Sequence, residues 1–322
     1  LLGRIRQNSG EIYLNGQAGG LLELSAGFHP ELDGIRNIYN KGFLLGKNKR
    51  EIGSKLVAAS KMKKAQQSAL SGQPYAALLA ETLAHISTRI EELDHPFFEE
   101  REVKTRGIIL VTTDRGLCGP LNGNLIREVQ KSEGAAKFVS IGRKGKQFLS
   151  RSSRELLADF EIGDSVQYTK IKQVTEFMIE KYLAGEVDTV EVWYPRFINI
   201  LIQLPTKAKL LPIAGLDEMI TELRGKNAKP FEASDDDRNF NFEPDPKTIL
   251  NDLLPLFVIR QVYQAVLSAR ASEHSARMVA MKTAKDNANK LLDDLTLQFN
   301  KARQAAITQE ILEIAAATAS ND

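Results

Sequence analysis

The last proline of the chain is Pro255, and the 67 residues after it, Leu256 to Asp322, contain neither proline nor glycine; fourteen are alanine. Proline is about 3 kcal/mol and glycine about 1 kcal/mol less favourable than alanine inside a helix, so the stretch reads as one uninterrupted helix. At ~1.5 Å per residue it is roughly 100 Å long. A compact domain of the remaining ~255 residues has a radius of gyration of only ~18 Å. The helix therefore has to protrude, and something has to cover its apolar stripe. A chain of this kind is expected to act as a shaft or arm gripped by a partner.

The remaining composition excludes more than it specifies. Net charge is +2, and the segment after Pro255 carries eight Lys/Arg against seven Asp/Glu, so neither the chain nor its arm has the basic surplus of a nucleic-acid binder. One cysteine, Cys118, rules out an intramolecular disulfide and a cysteine-rich zinc site, which fits a reducing compartment. No run of about 18 apolar residues predicts a transmembrane span. Leu21 to Ala26 is short and glycine-flanked and does not read as a secretory signal.

Organisation changes along the chain. Residues 1–54 hold ten of the 22 glycines and keep no period over ten residues, so they read as an irregular leader. Residues 55–95 are helical in pattern, with a break at Ser71 to Pro74 and Leu78, Leu79, Thr82, Leu83, Ile86 and Ile90 on one face. Residues 105–215 alternate strands and helices. Strands are expected at Gly107–Thr112, Lys137–Ile141, Val187–Tyr194, Phe197–Leu204 and Ala208–Ile213, and helices at about Asn122–Lys131, Gly142–Arg151 and Thr169–Leu183. That alternation predicts a mainly parallel sheet covered by helices. Residues 216–248 form an exposed connection rich in Pro and Asp, and 249–322 the long helix. Two helical blocks flanking one α/β insert can pair antiparallel. Leu291, Leu295, Phe299 and Ala302, then Ile307, Ile311 and Ile314, step by three or four residues, the spacing of a coiled-coil seam.

No group of residues makes a convincing catalytic site. The loop Asp114 to Gly119 follows a strand and precedes a helix, a place where phosphate can bind. It matches neither GxGxxG nor GxxxxGK[ST]. The better reading is a structural turn built on Asp114, Gly116 and Gly119, with Asp114 capping backbone amides. Cys118 has no Cys–His signature near it and reads as a small buried hydrophobe. His29, His85, His95 and His274 lack metal-ligand spacing. Gly142 to Lys146 reads as a solvated helix start. Lys61, Lys63 and Lys64 fit either solvent exposure or contact with an acidic partner.

Five stretches carry a family resemblance: "LVAASKMKKAQ" (56–66), "TDRGLCGPLN" (113–122), "FEPDP" (242–246), "ASEHSARMVAMKTAKDNA" (271–288) and "FNKARQAAITQEILEI" (299–314). In these the chain resembles the gamma subunit, the central stalk, of the rotary proton-translocating ATP synthase of bacterial type, over about residues 55–322. The resemblance implies an antiparallel coiled coil of N- and C-terminal helices flanking a Rossmann-like α/β domain. It implies a non-catalytic rotor shaft that couples proton flow to ATP synthesis in the beta subunits, with no catalytic residue, cofactor or metal of its own. Implied partners are the alpha and beta subunits of the catalytic head, the epsilon subunit and the membrane c-ring, with no nucleic acid. The implied location is peripheral, on the cytoplasmic face of the bacterial cell membrane.

Carried over by position, the family's polar contact with the catalytic subunits falls on Arg303, Gln304 and Thr308, and its apolar bearing on Ile307, Ile311 and Ile314. Three departures are visible. Pro120 stands where the family usually has glycine, Cys118 lacks the second cysteine of the photosynthetic form's redox pair, and Lys47 to Ile52 echoes the family's N-terminal helix about two residues out of register. Two readings from other classes stand beside this one: a nucleotide-dependent enzyme on a Rossmann-like core, and a coiled-coil adaptor that does not rotate.

Overall fold

The computed structural model describes residues 31–319, except 45, 51, 54–55, 57–59, 61–62, 65–66, 68–71, 88–94, 164–165, 218, 221–242 and 244. The chain divides into two compact units, residues 1–64 and 65–322. Residues 1–30 of the expected leader, and the acidic centre of the expected connection, lie outside the described residues.

The first unit departs from the irregular segment expected for 1–54, because Gly34–Leu44 is a helix (α1). Both ends are specified locally. Asp33 Oδ1 accepts the Arg36 N–H at 2.7 Å, an N-cap bond. At the other end Lys47 N donates to Gly42 O and Gly46 N to Phe43 O, both at 2.9 Å. Gly46 has φ +70°, which completes a Schellman motif. Gly42 has a second reason to be glycine: a Cβ there would lie 2.4 Å from Cδ1 of buried Ile52. The glycines that hide the helical period in the sequence are an end signal and a close-packing site.

The second unit is built on a five-stranded sheet of order β3-β2-β1-β4-β5. Its elements are α2 (Gln73–Ser87), β1 (Thr105–Val111), α3 (Leu121–Lys131), β2 (Ala135–Ile141), α4 (Arg143–Leu149), β3 (Glu155–Phe160), α5 (Tyr168–Leu183), β4 (Thr189–Phe197), β5 (Gln203–Leu211) and α6 (Pro246–Ala319). Strands β3, β2, β1 and β4 are parallel, and β5 is antiparallel to β4. The apolar run of β1 is buried on both faces, as a central parallel strand requires. Ile108 and Leu110 pack with Leu125 and Val129 of α3, while Ile109 and Val111 enter the larger core shared by α2, α5 and α6. Gly107 precedes that run, where a Cβ would sit 2.5 Å from Met178 Cε.

The structure differs from the sequence reading at the sheet's edges. β3 was not foreseen: its side chains are only half-buried, so it has neither a long apolar run nor a clean alternation. The expected strands 187–194, 197–204 and 208–213 are instead one hairpin. β4 continues through Pro195, which faces Pro205 across the ladder, and the turn falls at 198–202.

The long helix also starts earlier than expected. Asp245 Oδ1 accepts the Thr248 N–H at 2.9 Å and Oδ2 the Thr248 hydroxyl at 2.7 Å, with Pro246 in the first turn. Pro255 is carried inside the helix. Its missing N–H removes one bond to residue 251, a loss offset by the buried neighbours Leu254, Phe257 and Val258. The start of the expected exposed connection is likewise folded, with Leu216 and Met219 buried.

Candidate functional site

Helix α6 spans 74 residues, about 110 Å at ~1.5 Å per residue. From Leu250 to Ala276 it presents a buried stripe that includes Leu254, Val258, Val262, Val266 and Ala269. Residues 281–299 and 301–312 are all exposed. That bare stretch carries Leu291, Leu295, Phe299, Ile307 and Ile311, each about half to two-thirds exposed. No helix among the described residues is long and apolar enough to cross a membrane.

The residues singled out near the helix end occupy one side of it. At ~100° per residue, Arg303, Ile314, Ile307, Ile311, Gln304 and Thr308 fall in that order within an arc of about 140°. Arg303, Gln304, Ile307, Thr308 and Ile311 are exposed, and Ile314 is placed by its backbone alone. The Thr308 hydroxyl donates to Gln304 O at 2.8 Å, the usual i−4 bond of a helical threonine. Arg303 has no ion pair among the described residues, so its guanidinium is available to a carboxylate.

At the root of the helix, the loop between β1 and α3 is held by side chains from both directions. Asp114 Oδ1 accepts the Arg143 N–H at 3.2 Å, at the start of α4, and Asp114 Oδ2 accepts from Arg270 of α6 at 3.0 Å. Arg270 also donates to Glu273 at 2.6 Å, to Gly163 O at 3.0 Å and to Ile162 O. Glu273, which is 5% exposed, accepts from Arg277 at 2.7 Å, and Arg277 reaches Gly116 O at 3.4 Å. Burial alone would push Arg270 down, but Glu273 and Asp114 outweigh it and hold the guanidinium above its ordinary range.

Asp114 thus caps an amide and also carries an ion pair. Gly116 lends its carbonyl, and Gly119 adopts φ +59°, with Ala280 Cβ 3.8 Å from where its own Cβ would be. Cys118 is buried against Leu121 and Ala276, and Asn122 Nδ2 donates to its Sγ at 3.3 Å.

The Arg270–Asp114 pair was not visible in the sequence, since 156 residues separate its members. A local signal was there: Arg270, Glu273 and Arg277 stand three and four residues apart on a face that is otherwise apolar.

In open α/β sheets, ligands bind in the crevice outside the carboxyl ends of the strands. Here α6 fills that crevice. Thr112, Gly142, Ile162, Pro195, Val266 and Arg270 line a residual cavity of about 10 Å³, room for one water at most. Gly142, at φ +98°, lets the backbone close on itself, since a Cβ would lie 2.3 Å from Thr112 O. Among the described residues this crevice has no space for a nucleotide, so the geometry gives the enzyme reading no support here.

Comparison with known proteins agrees with this arrangement. The family model described as ATP synthase matches residues 53–320. The ATP synthase gamma chain of Opitutus terrae is 56% identical over 274 residues, covering 84% of this chain and 93% of that one. The gamma chain of Methylacidiphilum infernorum is 43% identical over 268 residues, covering 81% and 90%. Among solved structures, a chain in the central stalk and c-ring of the Tetrahymena thermophila mitochondrial ATP synthase superposes with a TM-score of 0.50 at 24% identity. It covers 72% of this chain and 97% of its own, a likeness of fold. On the family match and the identities to its bacterial relatives, the chain belongs to the ATP synthase gamma chain family.

Proposed function

We propose that this chain is the central rotor shaft of a proton-translocating ATP synthase. It transmits rotation of a membrane c-ring to the catalytic beta subunits of a head built with alpha subunits. It is a non-catalytic subunit, and the nucleotide chemistry belongs to the head. The observation that carries the reading is the contrast along α6: a root locked into the α/β domain, then more than thirty residues of exposed helix whose apolar stripe needs a sleeve. A coiled-coil adaptor would also need a sleeve. The rotary reading is favoured by the family and by the alanine-rich surface, which offers few deep interlocking side chains to resist turning.

In this reading Arg303, Gln304 and Thr308 make the polar contact with the catalytic subunits, and Ile307, Ile311 and Ile314 run in the apolar bearing. Residues 55–95 pair antiparallel with part of the C-terminal helix. The α/β domain sits at the foot with the epsilon subunit and the c-ring, on the cytoplasmic face of the bacterial cell membrane. Glycines 116 and 119, with Asp114, are structural.

The test is assembly of the chain with its alpha and beta subunits, with a bead attached through Gln130→Cys, at an exposed position of α3. ATP is expected to drive one-directional rotation. Replacing Arg303 and Gln304 together by alanine should weaken assembly or coupling and leave the isolated chain folded. Absence of rotation in the unsubstituted complex would overturn the shaft reading. Unchanged assembly and coupling in the double variant would overturn only the contact assignment.

A further inference from the structure

We propose that Arg270 is the torsional anchor of the shaft: it fixes the angle of α6 about its own axis at the point where the helix leaves the α/β domain. The inference rests on the shaft reading and assigns the place where torque passes between domain and helix. Ala276 is the last buried residue of α6 among the described side chains, so the clamp occupies the last two buried turns of the helix.

Below it the contacts are mainly apolar, with single hydrogen bonds where the Phe197 N–H donates to the Ser268 hydroxyl at 2.9 Å and Arg260 donates to Gly72 O at 3.3 Å. Val258, Val262, Ala265, Val266 and Ala269 hold the helix against the core. Apolar burial is non-directional. It opposes separation strongly and rotation about the axis weakly, all the more where the side chains are small.

Hydrogen bonds weaken steeply away from their preferred angle, and charge-assisted ones are the strongest. One nitrogen of the Arg270 guanidinium, Nη2, meets two separate pieces of the domain, while Nη1 meets Glu273. Nη2 donates to Asp114 after β1 and to the carbonyls of Ile162 and Gly163 after β3. Glu273 sets its orientation from the same helix, and Arg277 ties Glu273 to the loop again through Gly116. A planar guanidinium held through both terminal nitrogens cannot follow a turning helix without breaking bonds. The side chain is 13% exposed, so water does not readily replace them. The Ser272 hydroxyl, which donates to Pro195 O at 2.9 Å, adds a third attachment on β4.

The test uses the assembled complex with its head fixed and a bead on Gln130→Cys, comparing the chain with and without Arg270→Met. Arg270→Met is expected to raise the angular variance of the bead within each dwell. It should also lower the protons pumped per ATP hydrolysed, while the amount of assembled complex and the hydrolysis rate are kept. Arg270→Lys should fall between, because one ammonium cannot both reach the two loops, which meet at Nη2, and keep the Glu273 bond made by Nη1. Val266→Ala removes apolar contact one turn below and is expected to lower thermal stability without widening the distribution. Equal variance in Arg270→Met and the unsubstituted complex overturns the anchor and leaves the shaft reading intact. So does equal widening by Val266→Ala at matched stability. A complex that does not rotate at all removes both.

Discussion

The two parts of α6 are one helix with opposite surroundings. From Leu250 to Ala276 most of its apolar residues are buried in a core shared with α2, α5 and the sheet, whereas from 281 to 312 leucines, a phenylalanine and isoleucines face outward. Apart from Pro255 in the root, helix propensity does not separate them, since neither has glycine and both contain several alanines. The difference lies in what each stripe is for. The root is stabilised within the chain. In the shaft reading the bare part keeps its apolar surface for a partner, as exposed patches of that extent generally do.

One substitution made in both places breaks or sharpens this contrast. Leu254→Ala, at a fully buried position, is expected to destabilise the isolated chain by about 2–5 kcal/mol, read from chemical denaturation. A loss under about 1 kcal/mol would show the root to be loosely packed. Next in size is the cap of the root. Asp245→Asn should lower the melting temperature at neutral pH, because the carboxylate holds two bonds from Thr248. Those bonds hold its pKa below the ordinary carboxylate range. A depressed folded pKa gives stability that is present above the unfolded value of about 4 and is lost as pH falls through the folded one. The gap between the two proteins should therefore close in acid, and a gap independent of pH would refute the charged cap. Smallest in the isolated chain is Leu291→Ala, at a position 60% exposed, expected within about 0.5 kcal/mol of no change. The same variant should weaken assembly with the head. A large loss of stability in the isolated chain would mean that the bare part is covered from within.

The halves were unequally legible in the sequence. Absence of proline and glycine is a local signal, and it announced the long helix but not its first turns, because Pro246 and Pro255 look like breakers until Asp245 is seen capping one and a buried core compensating the other. β1 was readable from Gly107 to Val111 because a strand buried on both faces is apolar throughout. β3, half-covered at an edge, has no such run. The β4–β5 hairpin was split because Pro195 reads as a break, while in the sheet it faces Pro205, where neither residue can donate a ladder bond. In the leader, α1 was hidden by glycines whose uses, a Schellman end at Gly46 and a close approach to Ile52 at Gly42, are three-dimensional. Arg303, Gln304 and Thr308 entered through resemblance. Nothing in their spacing separates them from other polar residues on an exposed helix. Arg270 lay in plain view beside the quoted stretch 271–288, but its role depends on a loop that the fold brings to it.

The filling of the sheet's crevice by α6 has a consequence for competition. The crevice is where a fold of this class would receive a small molecule, and here the occupant belongs to the same chain. A tethered occupant is present at an effective concentration set by its linkage rather than by solution, in the millimolar range for short flexible connections. Dilution does not remove it, and a competitor has to overcome its buried packing as well as its tethered concentration. Occupation of the crevice and attachment of the shaft are therefore mutually exclusive states of one site. Any mutation that loosened the helix enough to admit a ligand would at the same step uncouple it from the body it has to turn.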